Sequence, residues 1–151
     1  MLFGKPKPLL SQDVQDQVVR AIRASEARTT GELRVFIEPH CSYVDAMDRA
    51  KEVFAQLAME KTERRNAVLV YMAMTDKQFA IFGDEEIYNK AGGAEFWKGA
   101  AIILQQHLKA GQISDGLCAC IEALGAALAS HFPYDPAIEK NELPDEIVFG
   151  K

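Results

Sequence analysis

Residues 65–84, RNAVLVYMAMTDKQFAIFGD, decide the fold. Ala67–Ala73 is a near-continuous apolar run, which suits a strand covered on both faces. Thr75, Asp76 and Lys77 supply a tight turn, and Gln78–Phe82 returns as the antiparallel partner, ended by Gly83 and Asp84. Upstream, Leu33, Val35 and Ile37 alternate with Glu32, Arg34, Phe36 and Glu38, the period of a strand, and Pro39 stops it. Between these two strands Ser42 and Asp45 have capping-box spacing, and Met47, Ala50, Phe54 and Leu57 follow at helical spacing. The polar cluster Lys61–Asn66 closes that helix. A strand–helix–strand unit takes a right-handed crossover and makes a parallel pair.

Further outward the chain reads as helix. Ser11 caps a first helix carrying Val14, Val18 and Ile22 on one face, broken at Thr29, Thr30 and Gly31. Glu85–Lys90 is a short helix closed by Gly92 and Gly93. Trp97, Ala101, Leu104 and Leu108 mark the next, with Gly111 as its stop. Ser114 caps the last, whose stripe is Leu117, Ile121, Leu124 and Leu128, ended by Phe132–Pro133. So apolar a sheet needs helices on both faces. The expected fold is a three-layer α/β/α sandwich around a small mixed β-sheet, with one further strand unplaced. The expected organisation is an extension at 1–10, a domain at 11–133 and an acidic tail at 134–151.

Composition narrows the function. The formal charge of −5 and a pI near 5.2 argue against a nucleic-acid backbone as partner. The opening residues MLFGKPKPLL lack the apolar run of roughly 7–15 residues that a secretory signal needs. No stretch is apolar enough for a membrane span. Three cysteines, Cys41, Cys118 and Cys120, with no export signal read as reduced thiols and a cytoplasmic setting. There is no P-loop lysine motif, GxSxG elbow, HExxH or CxxC pair. His40, His107 and His131 are scattered, as solvated or structural histidines are.

Strand directions locate a candidate site. Both parallel strands begin, and the third ends, at one end of the sheet, to which the first helix also returns. That rim gathers Glu26, Thr29, Thr30, Glu32, Arg64, Arg65, Asn66, Asp84, Glu85 and Glu86, with Arg34 one step inside. Carboxylates there suit a hard cation, Ca²⁺ or Mg²⁺, and arginines beside a cation suit a phosphate. The structural alternative is a set of ion pairs, with Arg34 neutralised by Glu26 or Asp84, and Asp84 capping the helix after it. The opposite end holds Glu38, His40, Cys41, Asp45 and Asp76, where His40 and Cys41 suit a transition metal and Asp76 a hairpin turn.

Several stretches then carry a resemblance. SEARTTGELRVFIE (Ser25–Glu38), RNAVLVYMAMTDKQFAIFGDEEI (Arg65–Ile87), Trp97, Gly111–Leu117 and Phe132–Pro133 together resemble TPM domains. NELPDEIVFG (Asn141–Gly150) resembles the tail of the cytoplasmic, anchor-free branch of that family. The resemblance implies an α/β/α sandwich, divalent-cation binding in some members and acid phosphatase activity in the plant branch, whose best-known member is a thylakoid-lumen protein linked to photosystem II repair. The signal and transmembrane helix of many members have no counterpart here. The family's recurrent polar positions fall on Glu26, Thr30, Glu32, Arg34, Asn66 and Asp84. Two functions are therefore expected. The first is an interaction module that binds a divalent cation and recognises a protein partner through the rim or the acidic tail. The second is a metal-assisted phosphomonoesterase, with Glu32, Asp84 and Glu26 holding the cation and Arg65 clamping the phosphate. In that reading Arg65 and Asp84 are the catalytic residues.

Overall fold

A computed structural model describes residues 9–138 and 146–151. The apolar run forms β2 (Ala67–Ala73), in which all seven residues are buried. It lies between β1 (Glu32–Glu38), parallel to it from Glu32↔Ala67 to Glu38↔Ala73, and β3 (Gln78–Gly83), antiparallel to it. A short β4 (Val148–Phe149) runs parallel to β1 on its far side, so the order is β3-β2-β1-β4. β4 is the strand the sequence left unplaced, and it comes from the segment read as an acidic tail. The extension at 1–10 falls largely outside the described residues, as does the middle of that segment.

Strand alternation divides the core in two. Leu33, Val35, Ile37, Val68, Val70, Met72 and Ile81 face α1 (Gln12–Glu26), α4 (Ala94–Lys109) and α5 (Ile113–His131). Phe36, Leu69, Tyr71 and Ala80 face α2 (Ala46–Gln56), with Phe54 edge-on to Phe82. The three-layer α/β/α sandwich is therefore present. Contrary to the expectation that no stretch is apolar enough for a membrane span, α5 is the one described helix long and apolar enough to cross a bilayer by length and composition. Here it lies among the core helices, with Leu117, Cys120, Ile121, Leu124 and Leu128 buried. Gly125 lets α1 approach it: a Cβ there would stand 2.4 Å from the Ser25 side chain. Ser25 Oγ uses that proximity to donate to the Ile121 carbonyl at 3.2 Å.

The caps correct two expectations. Ser11 caps α1 as expected, accepting from Val14 N–H. α2, however, is capped by Asp45, whose side chain accepts from Met47 N–H, and not by Ser42. Both residues are good caps, and the chain enters the helix at the later one. α5 begins one residue before Ser114, after Gln112, so Ser114 lies inside the helix. The polar stretch after α2 also holds a 3-10 turn, Met59–Lys61, which buries Met59 against the second core. α3 (Glu85–Ala91) is capped by Asp84 and closed by Gly92 at φ 88°, a left-handed conformation that glycine adopts without strain.

Candidate functional site

The rim exists because β1 and β2 are parallel. Their first residues share one end with the last residue of β3 and the ends of α1 and α5. Glu26, Thr29, Thr30, Glu32, Arg34, Asn66 and Asp84 are all buried there. What the fold does with each is specific.

Arg65 and Asp84 are each other's partners. Nε and Nη2 of Arg65 donate to Oδ2 and Oδ1 of Asp84, both at 2.7 Å, a two-pronged guanidinium–carboxylate pair. Nη1 lies 3.6 Å from Glu85. Asp84 Oδ1 also accepts from Glu85 N–H at 2.7 Å, closing the first turn of α3. The backbone is shaped to this. Arg65 sits at φ 51°, uncommon for a residue with a side chain, and its carbonyl accepts from Glu86 N–H at 3.0 Å. The hydrogen bonds to Asp84 hold the Arg65 guanidinium above its ordinary pKa.

Glu26 serves the strand. Its Oε2 accepts from Leu33 N–H at 3.1 Å, supplying a sheet-like acceptor at the start of β1, before β4 begins to pair. Arg34 is 8% exposed on the face opposite Leu33 and Val35. Burial lowers its pKa, and the carboxylates of Glu146, Glu32 and Glu26 oppose that shift. Arg34 thus has Glu26 among its counter-charges, as expected, whereas Asp84 is engaged elsewhere. Thr29 and Thr30 tie α5 to this corner. Thr29 Oγ1 and Thr30 N–H both donate to the Phe132 carbonyl, and Asn66 Nδ2 donates to Thr30 Oγ1 at 3.3 Å.

This arrangement does not fit a divalent cation held by Glu26, Glu32 and Asp84. Among the described residues no group of three or more His, Cys, Asp or Glu side chains is placed to hold a metal ion. Both oxygens of Asp84 are already engaged by Arg65, and Glu26 is engaged by the backbone. Arg34 supplies positive charge where the cation would sit.

The rim does open into a cleft of about 360 Å³ that sequence reasoning missed. Thr30, Arg64, Lys90 and His131 line it, and Phe132 to Pro136 form a wall. Arg64, Lys90 and His131 come from three separate elements, and the wall comes from the segment after α5. Of the lining residues, the sequence places Thr30 and Arg64 on the rim, and Lys90 and His131 nowhere near it. Among the described lining residues, Asp135 is the acidic one. An anionic group entering there meets Arg64, His131 and Lys90, whose ammonium also pairs with Glu86 at 3.7 Å.

The opposite end is organised differently. Glu38 accepts a two-pronged pair from Arg49 at 2.9 Å on both prongs, and a further hydrogen bond from the Tyr71 hydroxyl. Burial raises the Glu38 pKa, but Arg49 and Tyr71 outweigh it and the net shift is downward. Asp76 takes His40 Nδ1 at 2.9 Å and Cys41 N–H at 2.7 Å, so it pins the loop after β1 as well as turning the hairpin. The expected transition-metal set at His40 and Cys41 is not among metal-capable groups of the described residues.

The fold is thus an α/β/α sandwich with an acid–arginine rim at the start of its parallel strands. The TPM domain family model matches residues 5–127, and the chain belongs to that family. Among solved structures it is similar to the BA42 protein of the psychrophilic bacterium Bizionia argentinensis. That likeness has 38% identity over 97% of this chain and 99% of that one, with a TM-score of 0.87. The N-terminal domain of cg2496 from Corynebacterium glutamicum shares the fold at 14% identity, covering 89% of this chain and 84% of that one, with a TM-score of 0.65. The N-terminal domain of a P. gingivalis protein does so at 16%, covering 84% and 83%, with a TM-score of 0.58. No curated protein matches the chain.

Proposed function

We propose that this TPM domain is a binding module that receives an anionic group of its partner in the rim cleft. One observation carries the reading: Arg64, Lys90 and His131 converge on a cleft of about 360 Å³ where Asp135 is the one carboxylate among the described lining residues. The ion pairs behind the cleft, Arg65–Asp84 foremost, then act as its frame. A divalent cation enters this reading only if it displaces Arg65 from Asp84, so Ca²⁺ and Mg²⁺ are secondary ligands of the rim at most. The cytoplasmic setting remains part of the proposal.

The phosphomonoesterase reading is favoured by the same cations, which suit a phosphate, but Arg65 would have to exchange Asp84 for substrate. Two measurements separate the readings. Amide shifts on titrating inorganic phosphate, and separately an acidic peptide, report binding at Thr30, Arg64 and His131. Turnover of a generic phosphomonoester with and without Mg²⁺ reports catalysis. Saturable shifts without turnover support the binding module, and Arg64→Glu should remove them. Metal-dependent turnover abolished by Asp84→Ala would establish the enzyme instead.

A further inference from the structure

The rim cleft offers more than positive charge, and the rest of its lining narrows what can enter. Its wall is held in place by the backbone. Thr30 N–H donates to the Phe132 carbonyl at 3.0 Å, Tyr134 N–H donates to the Arg28 carbonyl at 3.2 Å, and Thr29 bridges to Pro133. Asp135 then turns the chain. Its Oδ1 accepts from Ala137 N–H at 2.9 Å, and its carbonyl accepts from Ile138 N–H at 3.0 Å. A wall tied down at each step need not be ordered by the ligand, which lowers the cost of binding.

The polar lining is of both kinds. Arg64, Lys90 and His131 are joined by Thr30, which is buried. Thr30 Oγ1 accepts from Asn66 Nδ2, so its own proton is left to donate, and among the described residues that proton has no acceptor. Asp135 supplies the opposite function. Its Oδ1 serves the turn, and among the described residues its Oδ2 takes no donor. Lys90 is shared with Glu86 at 3.7 Å. Two carboxylates beside these cations leave little surplus positive charge, which suits a ligand with one negative charge better than one with two. The remaining lining is apolar: Pro133, Tyr134 and Pro136 are exposed, and Ile138 is half-buried.

A ligand that matches all three features carries one negative charge, an N–H donor close to it and an apolar group. The last residue of a polypeptide has this form, since its carboxylate, its amide N–H and its side chain all leave one carbon. A phosphoryl group brings no N–H, and an internal aspartate or glutamate has no apolar side chain of its own. We propose that the rim cleft captures the free C-terminal residue of a protein partner, and that this residue is apolar. The proposal rests on the anion-binding reading of the cleft and names its ligand. The terminal carboxylate meets Arg64 and the Thr30 hydroxyl, with Lys90 and His131 beside it. The amide N–H of the same residue donates to Asp135 Oδ2, and its side chain lies against Tyr134 and the flanking prolines. Carboxylates at chain ends are a recurrent anchor in peptide recognition.

The test follows amide shifts of the whole chain with four probes. They are acetyl-Gly-Ser-Ala-Leu with a free carboxylate, the same peptide with a terminal amide, acetyl-Gly-Glu-Ala-Leu with a terminal amide, and inorganic phosphate. The free-acid peptide should shift Thr30, Arg64 and His131 saturably, and its amidated form should bind about tenfold more weakly. Arg64→Ala should remove the shifts. Asp135→Asn keeps an acceptor for Ala137 and loses the charged one. It should weaken the free-acid peptide while strengthening phosphate, two opposite effects that mere loosening of the wall does not produce. Equal binding of the acid and the amide, stronger binding of the internal glutamate or of phosphate, or weakening of every probe alike by Asp135→Asn would overturn the C-terminal assignment and leave the anion site standing. No shift at those three residues with any probe would overturn both.

Discussion

Glu26 gives the sharpest test of whether the rim is a frame or a cation site. Its side chain is 4% exposed and does two things. It accepts the Leu33 N–H, and it places negative charge near Arg34. Glu26→Ala removes both. Leaving a buried amide without an acceptor costs about 2 kcal/mol, and removing one of several counter-charges from Arg34 adds about 1 kcal/mol. Glu26→Gln keeps an acceptor for Leu33 and loses only the charge, so it should cost about 1 kcal/mol. For a domain of this size about 3 °C of melting temperature corresponds to each kcal/mol. Calorimetry should therefore show a drop of about 9 °C for Glu26→Ala and about 3 °C for Glu26→Gln. The same scans with about 5 mM Ca²⁺ or Mg²⁺ complete the test, since a ligand that binds only the native state raises its melting temperature. Equal losses in the two variants would refute the division between hydrogen bond and charge. A cation-induced rise in the wild type that vanishes in Glu26→Gln would refute the frame and restore Glu26 as a metal ligand.

Other expectations are read more simply. Glu38 has a folded pKa below its unfolded value, so the stability it contributes is present above about pH 4.3 and lost as pH falls through the lower folded value. Glu38→Gln should thus cost about 2 kcal/mol at neutral pH, and its denaturant midpoint should converge on that of the wild type in acid. Burial pushes the Cys120 thiol up to about 12 and also raises Cys118. Alkylation followed by mass spectrometry should modify Cys41 first, and Cys120 only on unfolding. Deleting residues 148–151 removes β4 and should cost about 2 kcal/mol in chemical denaturation, with faster hydrogen exchange confined to β1 and its neighbours.

The layers were legible because they rest on periodicity. A run such as Ala67–Ala73 has no polar face to expose, and the alternation in β1 divides apolar from polar side chains as the two cores require. Caps were legible only to within a turn: Ser42 and Asp45 satisfy the same rule, and packing decides between them. β4 was not legible, because two residues carry no period, and they form a strand only where the β1 edge offers partners. The rim residues were placed together by topology alone. Their roles were not, since whether Arg65 holds a phosphate or Asp84 depends on a left-handed backbone at Arg65 that nothing in its neighbours announces. The same holds for Glu26, whose partner is a backbone amide that becomes reachable only once α1 turns into β1. The cleft escaped notice because Lys90, His131 and the wall after α5 looked unrelated in the sequence to the rim residues Thr30 and Arg64.

The pairing of Phe36 with Val148 has a consequence for the order of assembly. Every other strand of the sheet, and every described helix, precedes β4 in the chain. As the polypeptide is synthesised from its N-terminus, the three-stranded core and its helical layers can form while the outer edge of β1 still awaits a mate. During that interval the outer edge of β1 stands open, and the nascent domain is at its most vulnerable to pairing with another chain. Arrival of Val148 and Phe149 closes it. These late residues act as a latch on a nearly finished fold, and their contribution to biosynthetic yield can exceed their contribution to equilibrium stability.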